Sequence, residues 1–432
     1  MVAERARVEL LTSGRSATVG RFIGEGGQGA VFEVRPDDGS EPLALKWYFD
    51  HTASTTQRSG IQLLVDRGAP DRHFLWPLEM VETAGSRAFG YVMPLRPPGF
   101  SGLTDLLTGK IDASFRSICL MCMKLTGSFL ALHNQGLCYR DISFGNLFFD
   151  PATGTPLVCD NDNVGVERDS TSTVLGTRRF MAPEIIRGEA LPSTNTDLYS
   201  LGVLLFYVLM VGHPLLGERE LDFRCWDEHA ERQLFGEHPL FVFHPSDRSN
   251  APTPAHHSAV LQYWPLYPTF VRQLFVQAFT DGLDPSGHGR VRESVWRAAM
   301  ANLLQSIQRC PWCRSESFWD IDHPDKACWN CQRPVGTPLR LEIGRTRIVL
   351  NDDTKVAAHV LRHDYDFDHH VAEVVTDPSR PNVWGLRNTG TLDWSVKMPN
   401  GSEHVVEPGR AVGLVPEATL DIGRTTAVIR HD

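Results

Sequence analysis

The sequence predicts an α+β protein with a small β-rich lobe at 1–95, a larger helical lobe at 96–308, a cysteine module at 309–336 and an all-β tail at 337–432. Three observations predict it. Up to residue 95, apolar residues fall in short runs punctuated by glycine, with one helical stretch at 55–67 before strand character returns at 74–81. From 103 to 309 the apolar spacing turns helical, in 118–133, 198–211, 270–279 and 291–307. From Leu339 onward Val, Ile and Thr recur between Gly, Asn and Pro turns, as in a chain of short strands. Residues 219–265, rich in His and Pro, are expected to form a loop insertion with little regular structure.

With 432 residues, more than one core is expected. Hydrophobic residues at 42% and charged residues at 22% describe an ordinary soluble composition, and a net charge of −10 argues against a nucleic-acid-coated surface. The apolar run 201–212 is too short for a bilayer and the N-terminus lacks a signal-peptide core, so a cytoplasmic protein with no membrane partner is expected. Nine cysteines agree with that: four form two C-x-x-C pairs, and Cys119, Cys122, Cys138, Cys159 and Cys225 are scattered as buried thiols are.

Gly24, Gly26 and Gly29, followed by Val31, give G-x-G-x-x-G-x-V. Missing side chains let backbone N–H groups approach phosphates, and Val31 can cover a base. The residues after Gly29 have strand rather than helix character, which favours a strand–loop–strand cover over a Rossmann turn. Lys46 follows within an apolar strand that contains Ala44, and its order behind the glycines points its ammonium at phosphate rather than solvent. Further on, Asp141 and Asn146 lie five apart behind Arg140. That spacing sets a carboxylate for an attacking hydroxyl and an amide for a magnesium ion on one short loop. Asp160, fourteen residues after Asn146, ends a predicted strand in an acidic turn, with Asp162 as the alternate carboxylate. Gly176–Glu184 and Asp197–Gly202 complete the series, with Glu184 expected to pair with Arg290 and Asp197 to brace the loop at Asp141.

Taken in order, these motifs resemble a eukaryotic-type serine/threonine protein kinase over roughly 15–308. The resemblance implies a two-lobed fold with ATP and Mg2+ in the cleft. It assigns Asp141 as catalytic base, Lys46 to the phosphates, Asn146 and Asp160 to magnesium, and Ala44 and Phe148 to the adenine. It makes the segment around Met93 the hinge, with Met93 as gatekeeper, the Pro94 carbonyl as acceptor and the Arg96 N–H as donor. Thr177 stands where serine/threonine kinases carry a threonine that orients the base. Three departures are visible. Ser143 replaces a lysine, Asn161 and Asp162 replace Phe-Gly, and the 55–67 helix has no glutamate to pair with Lys46, leaving Gln57, Gln62 or Asp66 as substitutes. A pseudokinase scaffold that binds nucleotide and partners without phosphoryl transfer is the alternative, and a small-molecule kinase a further one. Ser170, Thr171, Ser172 and Thr173 lie where a regulatory phosphate would pair with Arg140.

Cys310, Cys313, Cys328 and Cys331 give C-x2-C-x14-C-x2-C, the spacing of a structural zinc ribbon with four thiolates and no open position. Its charges are nearly balanced, so a docking spacer is favoured over nucleic-acid binding. The tail resembles a forkhead-associated β-sandwich, with Arg345 and Asn388 matching phosphopeptide-reading positions and Val356 standing where a serine is expected three before His359. The stretch 363–370 reads as a solvated hairpin tip rather than a metal site. Together the modules resemble bacterial kinases of tellurite-resistance-type gene clusters, which implies a protein substrate, a metal-dependent protein phosphatase and a von Willebrand A-domain protein as partners.

Overall fold

The computed structural model describes residues 2–83, 88–167, 175–284, 286–324, 326–377, 379–423 and 425–431; Ser170, Thr171, Ser172 and Thr173 lie outside the described residues. The chain divides into two compact units, one made of Met1–Ala113, Leu120–Tyr263 and Leu274–Arg297, the other of Ser114–Cys119, Trp264–Gln273 and Ala298–Asp432.

The first unit begins with β1 (Arg7–Leu10), β2 (Ser16–Glu25), β3 (Gly29–Pro36), β4 (Leu43–Tyr48), α1 (Thr55–Arg67), β5 (Glu79–Glu82) and β6 (Phe89–Pro94). These strands close into a barrel in the order β1-β2-β3-β4-β6-β5. Closure leaves no free edge, and alternate apolar residues fill the interior, among them Val8, Leu10, Val19, Phe32, Val34, Leu45, Trp47, Val81 and Val92. Gly29 is required here: a Cβ would sit 2.3 Å from the Trp47 carbonyl oxygen, so only glycine lets β3 approach β4. Helix α1 has the bounds its sequence predicts, because Ser54 accepts from the Gln57 N–H at one end and Gly68, with φ 73°, ends the other.

The apolar run at 74–81 behaves differently from expectation. Only its last residues join β5. Phe74, Leu75 and Trp76 are buried without a ladder, because the backbone bonds instead to residue 158: Leu75 N–H donates to Val158 O at 2.8 Å, and Val158 N–H to His73 O at 2.7 Å.

Then follow β7 (Ser101–Gly102), α2 (Leu103–Leu107), α3 (Phe115–Asn134), β8 (Leu137–Cys138), β9 (Leu147–Asp150), β10 (Thr155–Val158), β11 (Gly165–Val166), α4 (Pro183–Ile186), α5 (Thr194–Met210), α6 (Glu228–Glu231), α7 (Ser258–Tyr263), α8 (Thr269–Phe279) and α9 (Glu293–Gln305). Helix α5 opens on a reciprocal capping box between Ser193 and Thr196 and buries nearly every residue after it. Helix α3 is long and apolar enough to cross a membrane by length and composition, yet 56% of that stretch is buried inside the fold, as in a core helix. The 219–265 segment holds only short helical turns, as expected. It is pinned by the buried Asn250, whose amide donates to Leu215 O at 3.0 Å and Leu240 O at 2.6 Å. Among the scattered thiols, Cys119, Cys122 and Cys138 are buried, whereas Cys225 is exposed on that segment, contrary to the sequence reading.

In the second unit, β12 (Ile307–Arg309) pairs with β13 (Glu316–Phe318) beside the two cysteine pairs. The rings of Phe115 and Phe318 lie 5.0 Å apart, those of Tyr267 and Phe318 5.1 Å, and those of Phe115 and Trp329 6.5 Å, so the starts of α3 and α8 cluster with the cysteine module. The tail forms β14 (Arg340–Ile343), β15 (Thr346–Val349), β16 (Lys355–Ala357), α10 (His359–Arg362), β17 (His370–Asp377), β18 (Arg380–Asn388), β19 (Trp394–Lys397), β20 (Glu403–Val406), β21 (Ala411–Gly413), β22 (Thr419–Asp421) and β23 (Thr426–Arg430). A six-stranded sheet, β15-β14-β23-β22-β19-β20, and a four-stranded one, β16-β17-β18-β21, share one core with Leu341, Ile348, Val374, Leu386, Trp394 and Ile429.

Two readings of the tail change. Asn388 is fully buried; its amide donates to Leu392 O and Val406 O, and its Oδ1 accepts from Gly390 N–H, so the side chain is spent inside the fold rather than offered to a ligand. Arg345 is exposed and Val356 buried. The 363–370 stretch is not a bare hairpin tip, because Phe367 is buried and the His359 ring stacks on Tyr365 at 4.5 Å.

Candidate functional site

Strand β8 delivers Tyr139, Arg140 and Asp141 to a short 3-10 turn, Phe144–Asn146, which leads into β9. What positions this loop is α5. The buried Asp197 carboxylate accepts from Tyr139 N–H at 2.5 Å and from Arg140 N–H at 3.0 Å, as its sequence position predicts. Arg140 has φ 74°, a conformation that bulky side chains rarely adopt and that the two bonds on Asp197 hold in place. Behind Asp197, His133 of α3 offers Nε2 at 3.1 Å and places Nδ1 against Glu293. Burial alone would favour neutral imidazole, but the two carboxylates outweigh it and push the His133 pKa up to about 9.

The Asp141 carboxylate is held on both oxygens. Thr177 Oγ1 donates to Oδ1 at 2.7 Å, and Asn146 Nδ2 donates to Oδ2 at 3.1 Å and to the Asp141 carbonyl at 2.9 Å. Asn146 thereby uses its donors and keeps Oδ1 as its remaining polar side-chain atom. Its carbonyl accepts from Cys159 N–H at 2.9 Å, which sets Asp160 beside the loop. Ser143 is buried and adds no cation.

Asp160 has φ 56°, ψ 42°, a second left-handed non-glycine residue at the same site. Lys46, from β4, lies 2.5 Å from Asp160 Oδ1 and 2.7 Å from Asp162 Oδ2. Asp162 also accepts from the Tyr48 hydroxyl at 2.5 Å, and Gln57 Nε2 of α1 donates to that hydroxyl at 3.0 Å. Of the residues considered as substitutes for the missing helix glutamate, Gln57 therefore reaches the lysine only through Tyr48, while Gln62 bonds Asp66 at 2.8 Å. Asn161, the third member of the turn, is fully buried and donates to Leu75 O at 2.9 Å and Val158 O at 3.2 Å. Two carboxylates on one ammonium leave the group one positive charge short. Burial and the neighbouring Asp162 charge raise the Asp160 pKa, against the pull of Lys46. A divalent cation on Asp160 would offset that deficit, so the donor set fits magnesium.

The glycine loop turns between β2 and β3, with Gly26 N–H closing on Gly29 O at 2.9 Å. Around Gly24 and Gly26 a Cβ would meet nothing within 4 Å, so the backbone faces open space, as phosphate binding requires. Val31 pairs with Gly24 across the turn, and Ala44 with Met93 and Leu43 with Pro94 across β4 and β6. Phe148 is half-buried, and the Arg96 guanidinium lies 3.9 Å from its ring centroid, a cation–π contact made by the side chain of a residue read from sequence for its backbone donor. Glu184 receives Arg290 Nη2 on both oxygens at 2.8 Å, as expected.

Tyr48 and His133 went unread in the sequence. The signal for Asp162 as a lysine partner was present: a helix without glutamate leaves a buried ammonium needing a carboxylate, and the acidic turn carries a spare one.

In the second unit the sulfur atoms of Cys310, Cys313, Cys328 and Cys331 all lie within 4.8 Å of one another, with 3.7 Å between Cys310 and Cys331 and 3.6 Å between Cys313 and Cys328. A disulfide needs about 2 Å, whereas a tetrahedron with Zn–S of about 2.3 Å has edges near 3.8 Å. Each pair folds alike. Arg314 N–H donates to Cys310 O and Gln332 N–H to Cys328 O, and Arg314 (φ 66°) and Gln332 (φ 61°) are both left-handed.

Comparison with known proteins agrees with this geometry. Over 334 residues the chain is 24% identical to protein kinase YegI of Escherichia coli, covering 71% of this chain and 48% of that protein. It is 29% identical over 209 residues to serine/threonine-protein kinase PknK of Mycobacterium tuberculosis (46% of this chain, 18% of the relative). It is 37% identical over 94 residues to glycogen synthase kinase 1 of Pyricularia oryzae (21% and 24%). The chain thus spans less than half the length of these relatives. The family model for the protein kinase domain matches residues 17–235, which is 219 of the 432. A match over half of the chain, bracketing both the glycine loop and the Asp141 loop, makes this protein a member of the eukaryotic-type protein kinase family.

Proposed function

We propose that this chain is an ATP- and Mg2+-dependent serine/threonine protein kinase acting in the cytoplasm. The observation that carries it is the 2.7 Å bond from Thr177 Oγ1 to Asp141 Oδ1. A carboxylate held there by a hydroxyl from the segment that leads into α4 is ordered as a base for an incoming side-chain hydroxyl. When bound, the nucleotide supplies the γ-phosphoryl group and magnesium the charge that offsets its oxygens.

In this reading Asp141 accepts the hydrogen bond of the acceptor hydroxyl, and Asn146 Nδ2 keeps its second oxygen from turning away. Asn146 Oδ1 and Asp160 hold the metal, Lys46 meets the phosphates, and the N–H groups around Gly24 and Gly26 cover them. Ala44, Val31, Met93 and Phe148 enclose the adenine, with Pro94 and Arg96 offering a carbonyl and an N–H. The four cysteines hold a structural zinc ion, and the forkhead-associated-like tail docks partners without a phosphate site at Asn388. A metal-dependent phosphatase and a von Willebrand A-domain protein as partners rest on the sequence resemblance alone, and co-purification of each with the full chain tests them.

The substrate class is tested by incubating the full chain with Mg2+, γ-labelled ATP and a mixed protein acceptor such as casein, followed by phosphoamino-acid analysis. Phosphoserine or phosphothreonine is expected. Label confined to small metabolites would replace the protein-kinase reading with a small-molecule kinase.

A further inference from the structure

We propose that Asp162 is the standing partner that anchors Lys46 toward the nucleotide phosphates, so that the anchor belongs to the metal-binding turn and not to helix α1. This rests on the kinase reading above and deepens it for the same site.

The geometry gives Asp160 and Asp162 different duties although they are two residues apart. The Asp160 side chain is 40% exposed, open to a cation, while that of Asp162 is wholly enclosed. Asp162 has its oxygens occupied from within the protein: Oδ1 lies 2.9 Å from Lys46 Nζ, and Oδ2 takes the Tyr48 hydroxyl. An enclosed carboxylate with those partners is not free to hold an exchanging metal, but it fixes a buried ammonium well. Lys46 and Tyr48 sit on the same face of β4, two residues apart, so one strand carries both groups that grip Asp162. The turn is fastened from the other side by Asn161, bonded to the Leu75 and Val158 carbonyls. The contribution of α1 is one neutral donor, Gln57, to the Tyr48 hydroxyl. The family resemblance places a glutamate on this helix, so that moving the helix breaks the lysine's ion pair. Here the carboxylate has moved to the turn, and displacing α1 removes a hydrogen bond while the ion pair stays.

The test is calorimetric binding of Mg·ATP and of adenosine to the full chain at neutral pH, with thermal melts to verify folding. Asp162→Asn is expected to weaken Mg·ATP binding on the order of tenfold, the worth of a charged hydrogen bond, and to leave adenosine binding unchanged, because Lys46 acts on the phosphates. A purely structural role weakens both ligands together. Tyr48→Phe, which keeps the charge, is expected to weaken Mg·ATP binding about threefold with adenosine again unchanged, and it carries the test should Asp162→Asn fail to fold. Gln62→Ala and Asp66→Asn leave affinity unchanged. Equal Mg·ATP affinity in folded Asp162→Asn, or in Tyr48→Phe, overturns the anchor while leaving the kinase reading intact, and so does a parallel loss of adenosine binding. Wild type that binds no Mg·ATP overturns both.

Discussion

His133 donates Nε2–H to Asp197 across 3.1 Å, and the same Asp197 carboxylate accepts the backbone N–H groups of Tyr139 and Arg140. The loop that bears Asp141 is thus hung on an ion pair between two helices rather than on its own turn.

That pair makes stability depend on pH. With its folded pKa up to about 9 against an unfolded value of about 6.5, His133 contributes fully below pH 6.5, and its contribution is lost as pH rises through 9. The loss is ~3 kcal/mol in all. Urea midpoints from pH 6 to 10 should fall over this window in wild type and stay flatter in His133→Gln. Parallel curves would remove His133 as the source.

Glu184 and Arg290 form an enclosed pair, with side chains 6% and 1% exposed. Glu184→Ala strands the guanidinium and should cost about 3–5 kcal/mol in denaturant unfolding. The double variant Glu184→Ala, Arg290→Met should lose less than the sum of the two single changes, and strict additivity would contradict the coupling.

Thr177→Ser keeps the hydroxyl on Asp141 and should retain phosphorylation activity, whereas Thr177→Val should lower kcat roughly tenfold or more with KM for ATP little changed. Undiminished kcat in Thr177→Val would show that the hydrogen bond on Asp141 does not matter.

Elemental analysis of protein purified without added metal should find one zinc per chain, absent in Cys310→Ser. Since metal binding in isolated zinc fingers is worth about 10–16 kcal/mol, a strong chelator should unfold the cysteine module and lower its resistance to proteolysis to that of the variant. Full resistance after complete metal removal would make the four thiols dispensable.

Asn388→Ala should cost about 1–3 kcal/mol, the price of stranding buried backbone acceptors, while Arg345→Ala on the exposed turn should leave thermal stability unchanged. The reverse order would return Asn388 to the surface.

Both limits of α1 were legible, where Ser54 and Gly68 cap it, whereas the helical spacing at 198–211 left out the first turn of α5, which begins at Thr194 behind the Ser193 cap. The loop residues Asp141 and Asn146 were legible because their chemistry demands a fixed spacing. Strand character at Phe74–Trp76 was misread because burial without a ladder leaves the same apolar signature as a strand; the backbone partner is residue 158, far away in sequence. Tyr48 was illegible for a related reason. From Ala44 to Tyr48 every residue of β4 is buried, so no alternation showed which face its hydroxyl takes. Asn388 failed as a ligand because one asparagine in a turn-rich stretch looks the same whether its amide meets a phosphate or three backbone groups of its own chain.

The most direct measurement is transfer of labelled γ-phosphate from Mg·ATP to protein by the full chain and by Asp141→Asn, at matched folding and matched nucleotide affinity. Phosphoryl transfer through Asp141 requires incorporation by wild type that falls at least a hundredfold in the variant. Equal incorporation, or none by either while both bind Mg·ATP, would contradict it and leave a nucleotide-binding scaffold.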